Sequence, residues 1–379
     1  MKIVLFQRIL PAYRIPVFRR LYGLFGILTC YSNPVDKGGI RNADEKLDFP
    51  VYKINRVHIN NSATLILQNP LPILRKYNPQ IVISEGSPSY LTLWLLLFLK
   101  WFFGYKLIIW SHGIRFNEID NPFKNFRSKM QLWLFNRADA VILYSEFRAA
   151  LVRKNVKNSH KIFVVSNTLD TEKLKKVFEN LENSGKQSIK REINFSHRYN
   201  ITFIGRLLSN KGLDDLFNAF NQIYMKFDVA LHIIGDGPEK NKLEKVSESI
   251  PNIYFYGALF DELITGKILY CSDLMVMPGY VGLSVVHAFA FGCPVVTYKG
   301  SRKGDPLHSP EVEYIKNGEN GVFCNRENED LVMILTDLFS NPQKLKEMSD
   351  NAIRTAYNDA SIHKMIEGFK DVFKYLDLR

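Results

Sequence analysis

Between Ile201 and Tyr298 the chain alternates apolar strands, tight turns and amphipathic helices, and that alternation restricts it to a parallel α/β sheet. The run opens with ITFIGRLLSNKG, a β-branched and aromatic strand that stops at Gly205 and delivers Arg206 and Lys211. It closes with MPGYVGLSVVHAFAFGCPVVTY, read as a strand, a turn, a helix with an apolar face, and another strand. Ligands of open α/β sheets bind beyond the carboxyl ends of the strands. If the two strands are parallel neighbours, the cations after one and the turn after the other converge on a single diphosphate.

The same alternation extends over both halves. Strands are expected at KIVLF (2–6), GILTCY (26–31), VYKI (51–54), QIVIS (80–84), KLIIW (106–110), AVILY (140–144) and KIFVV (161–165). The second half adds YNITFIG, ALHIIG, IYFYG, LMVMPG and PVVTY. Helical patterns lie between them, including IPVFRRLYGLF, the proline-interrupted SATLILQNPLPILRKY, FRSKMQLWLFNRA and GLDDLFNAFNQIYMK. Residues 171–198 are polar and short of apolar periodicity and read as a tail and linker. The stretch 299–321 reads as irregular, and the last 50 or so residues as helical. A length of 379 residues suits two domains better than one core. The expected boundaries are 1–180, a linker at 181–198, a second domain at 199–355, and a terminal helix at 356–379.

The segment SYLTLWLLLFLKWFFGY (89–105) is the most apolar in the chain. Tyr90 to Tyr105 as a helix reaches only about 24 Å, short of the roughly 30 Å of bilayer hydrocarbon. It lies between two strand patterns and is expected to pack on the sheet as a crossover helix. Its surplus of Trp94, Phe98, Trp101, Phe102 and Phe103 leaves an interfacial membrane contact open.

The net charge of +12 is unevenly divided. Residues 1–198 hold 31 Lys and Arg against 14 Asp and Glu, and residues 199–379 hold 19 against 24. The first half is therefore expected to face something anionic. Nucleic acid is disfavoured, because no helix-turn-helix, zinc-finger, RNP or KH pattern is present and the basic residues are scattered. An anionic membrane surface or a pyrophosphate-linked substrate fits better. The four cysteines form no CxxC pair, which favours reduced thiols over a disulfide framework or a metal site. MKIVLFQR is too short an apolar run for a signal peptide. The expected location is the cytoplasm, with peripheral contact at the inner membrane's cytoplasmic face.

Arg206 and Lys211 beyond a strand end can bind both phosphates of a nucleoside diphosphate and stabilise it as a leaving group. Gly235 and Gly237 in GDGP permit a close turn, and Tyr256 with Gly257 offers backbone groups to a base. Gly279, Tyr280, Val281, Gly282, Leu283 and Ser284 lead into a helix whose first N–H groups suit phosphate or sugar oxygens. His287, one turn in, points to a ribose hydroxyl. In the first half, His112 follows a strand and suits a sugar hydroxyl or a proton shuttle. Glu85, Arg14 and Arg115 are the expected contacts to an acceptor.

Taken together, GRLLSNKG, HIIGDGP, GLSVVHAFAFGCPVV, PEVEYIKNGENG and WSHG resemble the retaining, nucleotide-sugar-dependent glycosyltransferases of family four. The resemblance implies the GT-B fold, with two Rossmann-like domains whose parallel sheets face a central cleft. It also implies transfer without a metal or other cofactor, an acceptor-binding first domain, a nucleotide-sugar-binding second domain, and a last helix that returns to the first. By resemblance, Arg206 and Lys211 are the diphosphate ligands and His112 the cleft histidine, and these three form the expected catalytic set. The family's paired glutamates, E-G-F-G-L-x-x-x-E, are absent: Gly279 and His287 stand in their places. Losing two charged hydrogen bonds weakens donor handling by roughly 3–6 kcal/mol if nothing replaces them. Gly279 is expected to leave room for a different sugar substituent, and His287 to keep the ribose contact.

The expected activity is transfer of a sugar from a nucleoside diphosphate to a glycan, lipid-linked in the simplest case, in bacterial capsule, O-antigen or exopolysaccharide assembly. Two alternatives stay open. One is a nucleotide-sugar epimerase on the same fold, and the other a non-catalytic nucleotide- or glycan-binding relative.

Overall fold

The computed structural model describes residues 2–33, 47–58, 65–114, 122–300, 308–326 and 328–377. The chain divides into two compact units, Met1–Ser166 with Ile362–Arg379, and Asn167–Ser361.

In the first unit the strands are β1 (Ile3–Phe6), β2 (Leu28–Tyr31), β3 (Val51–Lys53), β4 (Arg56–His58), β5 (Ile66–Gln68), β6 (Ile81–Glu85), β7 (Lys106–Ser111), β8 (Ala140–Leu143) and β9 (Ile162–Val164). The helices are α1 (Ile15–Phe25), α2 (Leu71–Tyr77), α3 (Leu91–Phe103), α4 (Phe126–Arg137) and α5 (Glu146–Arg153). Among the described residues, seven of these strands form one sheet in the order β3-β2-β1-β6-β7-β8-β9, and β4 and β5 pair apart from it. Every pairing in the large sheet is parallel. A parallel sheet is covered on both faces, which is why its strands read as unbroken apolar runs. Alternate side chains serve opposite faces: Val4 and Phe6 join one core, and Ile3 and Leu5 the other.

The second unit carries helices α6 (Thr171–Ser184) and α7 (Lys186–Glu192) ahead of its sheet. Its strands are β10 (Tyr199–Ile204), β11 (Val229–Ile234), β12 (Ile253–Gly257), β13 (Leu274–Val276), β14 (Val295–Tyr298) and β15 (Gly321–Cys324). Their order is β12-β11-β10-β13-β14-β15, again parallel. The remaining helices are α8 (Leu213–Ile223), α9 (Lys240–Ser247), α10 (Glu262–Cys271), α11 (Ser284–Ala290), α12 (Asn328–Ser340) and α13 (Pro342–Tyr357). The last helix, α14 (Ile362–Asp377), belongs to the first unit. There it buries Ile362, Met365, Ile366, Phe369, Val372, Phe373 and Leu376, a stripe at helical spacing against the core that holds Ile3 and Leu5.

Three expectations change. Residues 167–180 do not end the first domain and 181–198 are not a linker; both belong to the second unit. Leu174, Phe178 and Leu181 recur at four- and three-residue steps on α6, and Ile189 of α7 is buried with them. The charge between these positions hides the stripe. Ile66–Gln68, read as helix, is strand β5, and helix α2 starts only at Leu71. The residue before a proline is driven to extended backbone, and Asn69 precedes Pro70. Strand β15 was missed because Gly321–Cys324 is four residues long and adjoins the polar turn NGEN.

Phe369 is fully buried and meets Trp110 edge-on at 5.1 Å between ring centroids. Phe369→Ala is expected to lower the unfolding free energy by about 3–5 kcal/mol. Urea denaturation followed by tryptophan emission checks this, with the neighbouring Lys370→Ala expected to stay within about 0.5 kcal/mol of wild type.

Candidate functional site

In each sheet the order reverses beside one strand. In the second unit this switch lies between β10 and β13, so the crevice for a ligand opens where their exit loops diverge. Those loops are the ones that carry Gly205–Lys211 and Gly279–Ser284.

The exit loops of β10, β11 and β13 are joined backbone to backbone. Gly279 donates its N–H to the Lys211 carbonyl at 3.0 Å, and Tyr280 donates to the Asn210 carbonyl at 2.9 Å. On the other side, Leu207 donates to the Asp236 carbonyl at 2.9 Å, and Gly205 to Ile234 at 3.0 Å. Chains this close leave no space for a side chain. A Cβ on Gly279 would lie 2.2 Å from the Asn210 oxygen, one on Gly235 1.9 Å from the Gly205 oxygen, and one on Gly237 2.3 Å from the Leu207 oxygen. Gly282 differs, since a Cβ there meets nothing nearer than 3.7 Å.

This joining positions the cations. Lys211 ends a short 3-10 turn, and its Nζ donates to the Tyr280 carbonyl at 2.6 Å and sits 4.7 Å from the Tyr280 ring centroid. Burial lowers the ammonium to about 8. An ammonium has three donors, and the carbonyl takes one. Arg206 is exposed, and its guanidinium makes no hydrogen bond or ion pair with any described residue. The N–H groups of Gly282, Leu283 and Ser284 likewise meet no acceptor among the described residues. Two cations and three unsatisfied amides therefore flank the switch point, which is the donor set a diphosphate requires.

The turn is clamped by residues that the sequence reading passed over. Buried His308 accepts from the Val281 N–H at 3.3 Å through Nδ1, and its Nε2 lies 2.8 Å from the Tyr298 carbonyl. That pair of bonds fits the tautomer with the proton on Nε2. Ser309 donates its N–H to the Val281 carbonyl at 3.1 Å, and its hydroxyl meets the Tyr280 hydroxyl. Both residues belong to a polar stretch without periodicity, which carried no signal of this role.

Several expected contacts resolve differently. Gly279 does not leave room for a sugar substituent, because its open side is filled by the Asn210–Lys211 backbone. His287 does not offer Nε2 to a ribose: that atom is buried and lies 3.0 Å from Glu262 Oε2, though outside hydrogen-bond alignment. Burial favours the neutral carboxyl of Glu262, but His287 outweighs it and holds the group below its usual range. Tyr256 turns its hydroxyl to His232 Nδ1 at 2.9 Å, and the Gly257 carbonyl accepts from Gly235 at 2.8 Å. The backbone group expected to read a base is thus used within the sheet.

In the first unit the switch lies between β1 and β6. Glu85 fills it: Oε1 accepts from Arg8 Nε at 2.7 Å and from Nη2, and Oε2 accepts the Arg8 N–H at 3.1 Å. Burial works to raise the Glu85 carboxyl, and Arg8 overcomes it to keep the group ionised. Glu85 is thus half of an ion pair, not a free acceptor contact. Arg14 is 6% exposed, donates to the Tyr144 hydroxyl, and stacks 4.9 Å from the Trp110 ring centroid. It is part of the core and cannot reach a bulky anion. Arg115 lies outside the described residues. His112 keeps an exposed ring, 4.7 Å from the Tyr144 centroid, while Arg148 Nη1 donates to its carbonyl at 3.1 Å. The surrounding protein and the charges of Arg14 and Arg148 lower His112 to about 4, so the imidazole is neutral at neutral pH.

Comparison with known proteins agrees with this fold. Residues 198–341 match the family described as glycosyl transferases group 1, and residues 46–173 match glycosyltransferase family 4. An uncharacterized glycosyltransferase of Methanocaldococcus jannaschii is 24% identical over 288 residues, 72% of this chain and 68% of that protein. The alpha-monoglucosyldiacylglycerol synthase of Acholeplasma laidlawii is 28% identical over 155 residues, 39% of this chain and only 37% of the relative. Among solved structures, Anabaena Alr3699/HepE in complex with UDP superposes with a TM-score of 0.73 at 17% identity, covering 98% of this chain and 99% of that one. The shared architecture is GT-B.

The loop packing gives a direct test. Gly279→Ala is expected to cost about 1–3 kcal/mol through forced backbone displacement, lowering Tm by roughly 2–10 °C. Gly282→Ala is expected to shift Tm by less than about 2 °C. Differential scanning calorimetry of the two variants checks the contrast; equal shifts would show that the loops are not joined as described.

Proposed function

Because the chain belongs to the family 4 glycosyltransferases, we propose that it transfers a sugar from a nucleoside diphosphate to a glycan acceptor with retention of configuration. The bond from the anomeric carbon to the β-phosphate oxygen breaks. The acceptor hydroxyl attacks from the face that the diphosphate leaves, and its proton passes to a phosphate oxygen. Lys211, Arg206 and the amides of Gly282, Leu283 and Ser284 hold the charge that develops on the diphosphate, and each interaction strengthens as that charge grows. A neutral His112 offers one hydrogen bond to a sugar hydroxyl. No step in this sequence calls on a metal.

The observation that carries the reading is Lys211. Its ammonium is partly desolvated, fixed by the Tyr280 carbonyl, and set on the same joined loops as the unsatisfied amides. No carboxylate among the described residues pairs with it, so an anion is the natural complement. UDP bound to the Anabaena structure supports a uridine nucleotide as the first donor class to test. The glycolipid synthase among the relatives supports a lipid-linked acceptor, as in bacterial capsule, O-antigen or exopolysaccharide assembly. Binding without turnover is a second reading, favoured by Gly279, where the loop packing excludes the family's carboxylate. Release of free UDP from a UDP-sugar separates the two.

A pH profile tests the Lys211 assignment. Below about 8 the ammonium is present before binding. Above that value free protein has lost the proton and binding must recover it, so affinity falls toward about tenfold per pH unit. Isothermal titration with UDP from pH 7 to 9.5 is expected to show this decline in wild type. Lys211→Met is expected to bind more weakly, with no pH dependence in that range. A flat wild-type profile would remove Lys211 from the site.

A further inference from the structure

Helix α3 is apolar all round apart from Thr92 and Lys100. Such a helix is normally enclosed by protein or lipid. Here only one side is covered: Thr92, Leu93, Leu96 and Leu99 are buried, and Tyr105 donates its hydroxyl to the Leu96 carbonyl. On the other side Phe98 is 63%, Trp101 92% and Phe102 70% exposed. The patch continues onto α4, where Trp133 stacks on Trp94 at 5.5 Å between ring centroids. The exposed face of α4 repeats at helical spacing through Phe126, Lys129, Trp133 and Arg137. Arg137 lies 4.0 Å over the Trp133 ring.

Within α3 and α4 the charges have one sign. Neither α3 nor α4 contains an Asp or Glu. Among the described residues, Lys100 is the one cation of α3 and α4 tied to a carboxylate, Asp139, at 2.7 Å. Lys124, Lys129 and Arg137 are exposed beside the aromatic rings. Protruding Trp and Phe with flanking Lys and Arg complement a lipid interface, where rings enter the headgroup layer and cations meet anionic phosphates. At 13 residues α3 is too short to cross the hydrocarbon, and no described helix is long and apolar enough to span a membrane.

We infer that the joined outer faces of α3 and α4 seat the first unit on a membrane surface rich in anionic phospholipid, with Phe98, Trp101 and Phe102 inserted and Lys129 and Arg137 on the headgroups. This docking face is independent of the transferase reading and of the donor loops of the second unit.

Flotation of the full chain with phosphatidylcholine vesicles, with and without phosphatidylglycerol, tests it. Wild type is expected to float with the anionic vesicles and to show a blue-shifted tryptophan emission. It is expected to bind pure phosphatidylcholine at least about tenfold more weakly, because each Lys or Arg at an anionic surface adds roughly fivefold. Phe98→Ser/Trp101→Ser/Phe102→Ser is expected to lose at least about tenfold in partition. Lys129→Glu/Arg137→Glu is expected to lose the preference for anionic lipid. All five positions are at the surface, so the variants should keep the wild-type Tm. No vesicle binding by wild type, or equal binding by the aromatic variant, would overturn the inference. So would a dimer in sedimentation that the aromatic variant abolishes, since the face would then belong to a second copy of the chain.

Discussion

The architecture of the second unit depends on how closely three loops can approach. The N–H groups of Gly279 and Tyr280 reach the Lys211 and Asn210 carbonyls only because no Cβ stands between them. The same condition holds at Gly235, against Gly205. These contacts fix the Lys211 turn against the loop after β13, and so place an ammonium and three free amides beyond adjacent parallel strands. Buried His308 and Ser309 lock the far side of that loop. The proposed charge recognition therefore rests on backbone geometry that is already in place before an anion arrives.

The first unit treats its own switch point differently. There Arg8 and Glu85 neutralise one another, and Arg14 is enclosed by Trp110 and Tyr144. Cations buried in this way support the loops, and burial together with the charges of Arg14 and Arg148 keeps His112 neutral. The two halves share a sheet design but not a chemistry. One leaves positive charge available beyond the strands; the other spends it internally.

Much of the fold was legible because parallel strands buried on both faces read as apolar runs. All seven strands of the first sheet and five of the six in the second stand out in this way. What was hidden lacked contrast. The stripe of α6 is three apolar residues among lysines and glutamates, and β15 is four residues long. The position of Arg206 and Lys211 just beyond strand β10 was legible. The meaning of the glycines was not: at 235, 237 and 279 they admit another stretch of backbone, which no local pattern reveals. The pairing of His287 with Glu262, and of Glu85 with Arg8, joins residues 25 and 77 positions apart. Such partners are set by the packing of separate elements, which single-sequence periodicity does not report.

The most direct test of the central claim is a thermal-shift screen of the full chain with UDP, GDP, dTDP and ADP, beside the Arg206→Ala/Lys211→Ala variant. The account predicts that one nucleotide raises Tm in wild type and that the double variant, folded to the same Tm without ligand, loses the shift. Saturation at 100 times Kd corresponds to about 2.7 kcal/mol of stabilisation, a shift of several degrees. An equal shift in the double variant, or none with any nucleotide, would contradict a diphosphate site on these loops.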